Sequence, residues 1–176
     1  MIKTCIIDSS SAILLYKGGI FGELLDHYKT LCPPAVITEL TRNPTYPGAE
    51  YFLACCNHKN FLIEYPERSG TQYIEKLPHG LGAGEAECIA LYYKKSGDFI
   101  ILDDKRGAQW CKNQNIPFIN ALLVPKILFL CGCLSEENYN TIFSLFLKEG
   151  RYSEKVSQYA SDLQLVDLSP FLPVQD

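Results

Sequence analysis

The stretch that decides the fold is "AGEAECIALYYKKSGDFIILDDKRGAQWCKNQNIPFIN", residues 83–120. Ala86, Ile89, Ala90 and Tyr93 recur at helical spacing, which predicts a helix closed by Gly97. "FIIL" is apolar throughout and reads as a strand, "KRGAQWCKNQN" as a helix, and "IPFIN" as a second strand. Strands that are continuously apolar and separated by helices predict a parallel sheet covered on both faces.

The same alternation extends outward from this stretch. Towards the start, "KTCII" reads as a strand, "SSAILLYKG" as a helix capped by a serine, and a second helix is expected from Phe21 to about Lys29. "CPPAVITELTRNP" reads as helical, with Pro34 in a tolerant first turn and Pro44 as a stop. "GAEYFLACCNHK" is helical in pattern, "FLIEY" is a strand, and "PERSGTQYIEKLPHGLG" is loop-rich. Beyond Ala121 the pattern is helical, broken near Gly132 and Gly150, and "SPFLPVQD" reads as a tail. The expected architecture is an α/β sandwich around a central parallel sheet with extra C-terminal helices. Residues 1–133 would form the main domain, and residues 134–176 a helical extension packed on it.

A length of 176 residues suits one domain with a substantial core. The apolar share of 47% and charged share of 20% are ordinary for a globular protein, and the net charge of -4 argues against a basic nucleic-acid clamp. Acidic metal ligands would not be excluded by that charge, because the bound ion restores positive charge locally. The eight cysteines show no zinc spacing, and "MIKTCIIDSS" is too short for a signal peptide, so they read as reduced core residues of a cytoplasmic protein. The longest apolar stretch, "INALLVPKILFLCGCL", is broken by Pro125 and Lys126 and too short to span a bilayer.

Chemistry concentrates in the acids. Asp8 directly follows the first strand, and Asp103 and Asp104 directly follow "FIIL". In open parallel sheets functional groups gather beyond the carboxyl ends of the strands. Glu39 sits among Val36, Ile37 and Leu40, and Glu85 in the first turn of its helix. Each has an ordinary structural reading: Asp8, Asp103 and Asp104 as helix caps, Glu85 and Glu87 as complements to a helix dipole, Glu39 as a solvated edge residue. Four segments delivering acids to one edge, without matching basic residues, would repel unless a cation held them. An all-oxygen donor set selects Mg²⁺ or Mn²⁺ over zinc. Such ions activate water and stabilise a leaving oxygen in phosphodiester cleavage.

"IIDSSSAILL", "VITEL", "GAGEAECIAL" and "FIILDDKRG" resemble, in order and spacing, the acidic motifs of PIN-domain ribonucleases. The chain looks closest to the subgroup whose third motif reads Gly-Glu-x-Glu, related to the VapC toxins of toxin–antitoxin systems. The resemblance covers most of the chain, with weaker similarity in "GRYSEKV". It implies a PIN-like three-layer α/β/α fold and a Mg²⁺- or Mn²⁺-dependent endoribonuclease. Asp8, Glu39, Glu85 and the Asp103/Asp104 pair would be the catalytic and metal-holding acids, with Ser10 orienting a ligand or water. Glu87, two positions on and roughly 200° around the helix, ranks behind Glu85. The fourth motif aligns Leu102 with the usual hydroxyl residue and Asp104 with the acid, leaving open whether Asp103 or Asp104 touches the metal. Arg106 or Lys105 is a candidate phosphate contact. The implied partners are an RNA substrate, a small antitoxin protein and a second copy of the chain in a homodimer, without a membrane. The competing readings are a catalytically inactive PIN-like binding or interaction module and a phosphatase on a doubly wound sheet. Against the phosphatase, "DSSSA" lacks an Asp-x-Asp arrangement after the first strand.

Overall fold

The structure is a computed structural model that describes residues 2–66, 77, 80–150 and 152–173. Five strands, β1 (Thr4–Ile7), β2 (Lys29–Cys32), β3 (Phe61–Ile63), β4 (Phe99–Ile101) and β5 (Phe118–Ile119), form one wholly parallel sheet in the order β3-β2-β1-β4-β5. Helices α1 (Ser9–Lys17), α2 (Phe21–His27), α3 (Pro34–Thr41), α4 (Ala49–Cys55), α5 (Ala83–Tyr93) and α6 (Lys105–Asn113) alternate with the strands. Helices α7 (Val124–Leu130), α8 (Glu136–Glu149), α9 (Glu154–Asp162) and α10 (Leu165–Leu168) follow β5. The result is a three-layer α/β/α sandwich with extra C-terminal helices. Among the described residues no helix is long and apolar enough to cross a membrane.

The central strands β1 and β4 are apolar along nearly all their length because both faces are covered: Cys5, Ile6, Ile7, Ile100 and Ile101 have no solvent exposure. Each such aliphatic side chain contributes about 1.5–3 kcal/mol on burial. The chain runs outward from β1 to β2 and β3, then returns to the other side of β1 as β4. The strand order therefore reverses between β1 and β4, and the carboxyl end of that pair is where an open sheet leaves a crevice. The β1–β4 register pairs Ile7 with Ile101, and the Asp8 amide donates to the Ile101 carbonyl at 3.1 Å. Asp8 and Asp103 are thereby brought to the mouth of that crevice.

Several local expectations change. Strand β2, "KTLC", lies between the expected end of the second helix and the next helical stretch, where no strand was expected. Four residues carry no readable period, and their extended state is set by pairing to β1 on one side and β3 on the other. The cap of α1 is Asp8 rather than a serine. Helix α5 closes at Lys94, with Lys95 in the left-handed region (φ 61°), three residues before Gly97. Its buried side is wider than a stripe, taking in Gly84, Cys88, Ile89, Ala90 and Leu91, because α5 packs on β1 and β4 and also on α3.

The C-terminal stretch is docked. Ser169–Phe171 form a 3-10 turn, the Phe171 ring meets Phe99 edge-on at 5.3 Å, and the Tyr28 hydroxyl donates to the Phe171 carbonyl at 2.7 Å. Lys126, which interrupts the apolar run, is buried and donates to the Ala160 and Ser161 carbonyls at 2.9 and 2.7 Å, capping the end of α9. All eight cysteines are free, and five of them are buried. Most of the loop-rich stretch, residues 67–76 and 78–79, lies outside the described residues.

Candidate active site

The site starts at the junction of β1 and α1. Asp8 is 1% exposed and caps α1, its Oδ1 accepting the Ser11 amide at 2.8 Å. The consecutive serines that follow each serve a different acid. The Ser9 hydroxyl donates to Glu39 Oε2 at 2.5 Å, the Ser10 hydroxyl to Asp8 Oδ2 at 2.8 Å, and the Ser11 hydroxyl to Asp103 Oδ2 at 3.2 Å. One helix turn spreads three successive side chains about 100° apart, so the first turn of α1 reaches its own cap, Asp8, and acids on two other segments. The helix N-terminus adds a favourable field for negative charge there.

Glu39 is presented by α3 and Glu85 by α5. The two helices come close because position 84 is glycine: a Cβ there would lie 3.0 Å from Val36 Cγ2 and 3.3 Å from Glu39 Oε2. Burial raises the Glu85 carboxyl above its ordinary range, and the Asp8, Asp104 and Glu39 charges raise it further. Glu87 turns elsewhere, accepting the Ala35 amide at 2.8 Å and so capping the start of α3, which has no capping side chain of its own. Its offset from Glu85 around α5 becomes a structural job for one acid and a place in the cluster for the other.

At the end of β4 the adjacent aspartates divide. Asp104 caps α6, its Oδ1 accepting both the Arg106 and Gly107 amides at 2.8 Å. Asp103 turns inward, where Oδ1 accepts the Tyr152 hydroxyl at 2.7 Å and the Ala121 amide at 3.1 Å. Its own amide lies 3.4 Å from Asp8 Oδ2. Burial raises the Asp103 carboxyl, opposed by these donors. Asp8 is pushed up from 3.8 to about 6, first by burial and also by the Asp103 charge, against the pull of its serine donors. The Arg106 guanidinium donates to the Gly80 carbonyl at 3.0 Å. Among the described residues the ion pairs Lys17–Glu149 and Lys94–Glu64 involve none of the clustered acids.

Ser9, Ser11 and Tyr152 were not singled out from the sequence. The run of serines behind Asp8 was a usable signal for the first two, and Tyr152 lies in "GRYSEKV", where the resemblance was weak. Among the described residues no three His, Cys, Asp or Glu side chains are already drawn together closely enough to hold a metal ion. Each acid is turned to a hydroxyl or amide of its own, as carboxylates without a counter-charge must be. The donor chemistry nonetheless fits a divalent cation: oxygen only, partly buried, mutually repelling and, among the described residues, without an ion pair.

Fold and site together define a parallel α/β/α protein with an acidic cluster at the switch point of its sheet. A family model described as the PIN domain matches residues 4–164, and the chain belongs to the PIN-domain family, whose members are usually nucleases. No curated protein and no solved structure gives a significant match to the chain.

Proposed function

We propose that this PIN domain is a metal-dependent endoribonuclease, of the VapC-like subgroup with a Gly-Glu-x-Glu third motif. The observation that carries the reading is the convergence of Asp8, Glu39, Glu85 and the Asp103/Asp104 pair from four segments, without an ion pair among the described residues. These residues would hold Mg²⁺ or Mn²⁺. A divalent ion at such a site supplies a water of lowered pKa and stabilises charge on a phosphodiester. The chain's own contribution is orientation: Ser10 holds Asp8 and Ser9 holds Glu39. Arg106, exposed at the start of α6, would contact a substrate phosphate.

The same reading makes RNA the substrate and extends to the toxin of a toxin–antitoxin pair, with a small antitoxin partner and a homodimeric state. A cytoplasmic setting is supported by the free cysteines. A second reading, an inactive PIN-like binding module, is favoured by one observation: the acids are already satisfied by donors of their own. A mixed RNA panel with Mn²⁺ separates the two. The nuclease cleaves, stops in EDTA, and falls at least a hundredfold in Asp8→Asn with the fold retained. No cleavage by wild-type protein across the panel in Mn²⁺ and Mg²⁺ leaves the binding module.

A further inference from the structure

We propose that Tyr152 is a positioning residue for this site: the chain between α8 and α9 sets its phenol on Asp103, and through Asp103 it holds Asp8 in the orientation that receives a divalent cation. The proposal rests on reading the acidic edge as a metal site. The geometry is specific. Asp103 Oδ1 has both lone pairs occupied, by the Tyr152 hydroxyl at 2.7 Å and the Ala121 amide at 3.1 Å. Oδ2 accepts the Ser11 hydroxyl at 3.2 Å. Donors from three separate segments leave a side chain with two torsions no free rotation.

Asp103 is in turn joined to Asp8 twice. Its amide lies 3.4 Å from Asp8 Oδ2, and Ser11 bridges the two acids, giving its amide to Asp8 Oδ1 at 2.8 Å and its hydroxyl to Asp103. The approach of Tyr152 has its own requirement: a Cβ at position 150 would collide with the Tyr152 ring, so glycine there lets the ring fold back from the end of α8. Asp104 differs. Its Oδ1 takes both α6 amides, Oδ2 receives no donor among the described residues, and its charge acts on Glu85. Asp103 is thus the more tightly fixed of the pair, with one lone pair of Oδ2 left for an ion, while Asp104 Oδ2 has no donor among the described residues. A cation's outer hydrogen-bond partners tune its binding by ten- to a hundredfold in general.

The test uses the full chain and Mn²⁺ alone, with binding measured by calorimetry. Tyr152→Phe keeps the ring and removes the donor, and it should weaken Mn²⁺ binding about tenfold or more. Ser11→Ala, which removes the other side-chain donor to Asp103, should weaken it in the same sense. In an Asp103→Asn background, Tyr152→Phe should have no further effect, because the tyrosine acts through that carboxylate. Wild-type affinity in a folded Tyr152→Phe overturns the proposal while leaving the metal site standing. So does an equal loss from Tyr152→Phe with and without Asp103. Where Asp103→Asn binds too weakly to measure, or Tyr152→Phe fails to fold, Ser11→Ala decides, unchanged affinity counting against. Absence of Mn²⁺ uptake by the wild type removes the metal site itself, and the proposal with it.

Discussion

Asp8 shows how a buried acid can work against the fold that holds it. With its carboxyl raised from 3.8 to about 6, folding favours the protonated form. A group whose pKa rises on folding contributes its full stability below the unfolded value, near pH 4, and loses it as pH rises through about 6. The difference is about 3 kcal/mol once Asp8 is ionised, from the conversion of about 1.4 kcal/mol per tenfold change in proton affinity. Asp8→Asn keeps the shape and removes the titration. In metal-free buffer the variant should be more stable than wild type at pH 7.5, by about 1–3 kcal/mol, with the advantage gone by pH 4. Denaturant midpoints across that range check this, and a variant less stable at pH 7.5 would mean that the carboxylate's hydrogen bonds outweigh its desolvation. The positions of Asp8, Asp103 and Asp104 were legible at this scale, because strand ends in a parallel sheet have a foreseeable destination. The partners were not: Tyr152 is 49 residues from Asp103, and no local pattern links them.

At the scale of elements, α5 carries two glutamates with separate work. Glu85 faces the cluster and Glu87 caps α3. Glu85→Gln should abolish RNA cleavage and leave unfolding unchanged or slightly later, since it relieves repulsion among partly buried acids. Glu87→Ala should cost about 1 kcal/mol of stability through the lost cap, with cleavage retained in proportion to folded protein. Thermal unfolding and cleavage measured on the same samples separate the two, and loss of activity in a folded Glu87→Ala would place that residue in the site as well. The sequence could rank these glutamates by angle around the helix, yet the task of Glu87 depends on where the start of α3 lies. Strand β2 was missed for a related reason: a four-residue strand is defined by the strands it pairs with, β1 and β3, which lie far from it along the chain.

For the whole molecule, the C-terminal helices are tied back to the sandwich at several points: Tyr152 on Asp103, Lys126 on α9, and Phe171 against Phe99 and Tyr28. The Phe171 contact lies near the start of β4 and the catalytic candidates at its end. Phe171→Ala should therefore lower stability by about 1–3 kcal/mol, reflecting a half-buried ring, with no change in Mn²⁺ affinity of the folded protein. A parallel drop in Mn²⁺ affinity would show that the two ends of the sheet are coupled.

By itself the sequence determined the alternation of helices and apolar strands, the parallel sheet, and the arrival of Asp8, Asp103 and Asp104 at its carboxyl edge. These follow from local periodicity and from the rule that strands buried on both faces are apolar along their length. Only the tertiary structure decided which acid faces which, that Ser9, Ser10 and Ser11 each serve a different carboxylate, that Glu87 caps α3, and that Tyr152 reaches Asp103. Those are hydrogen bonds whose partners are set by packing across the sheet's crossovers, where chain distance carries no information about distance in space.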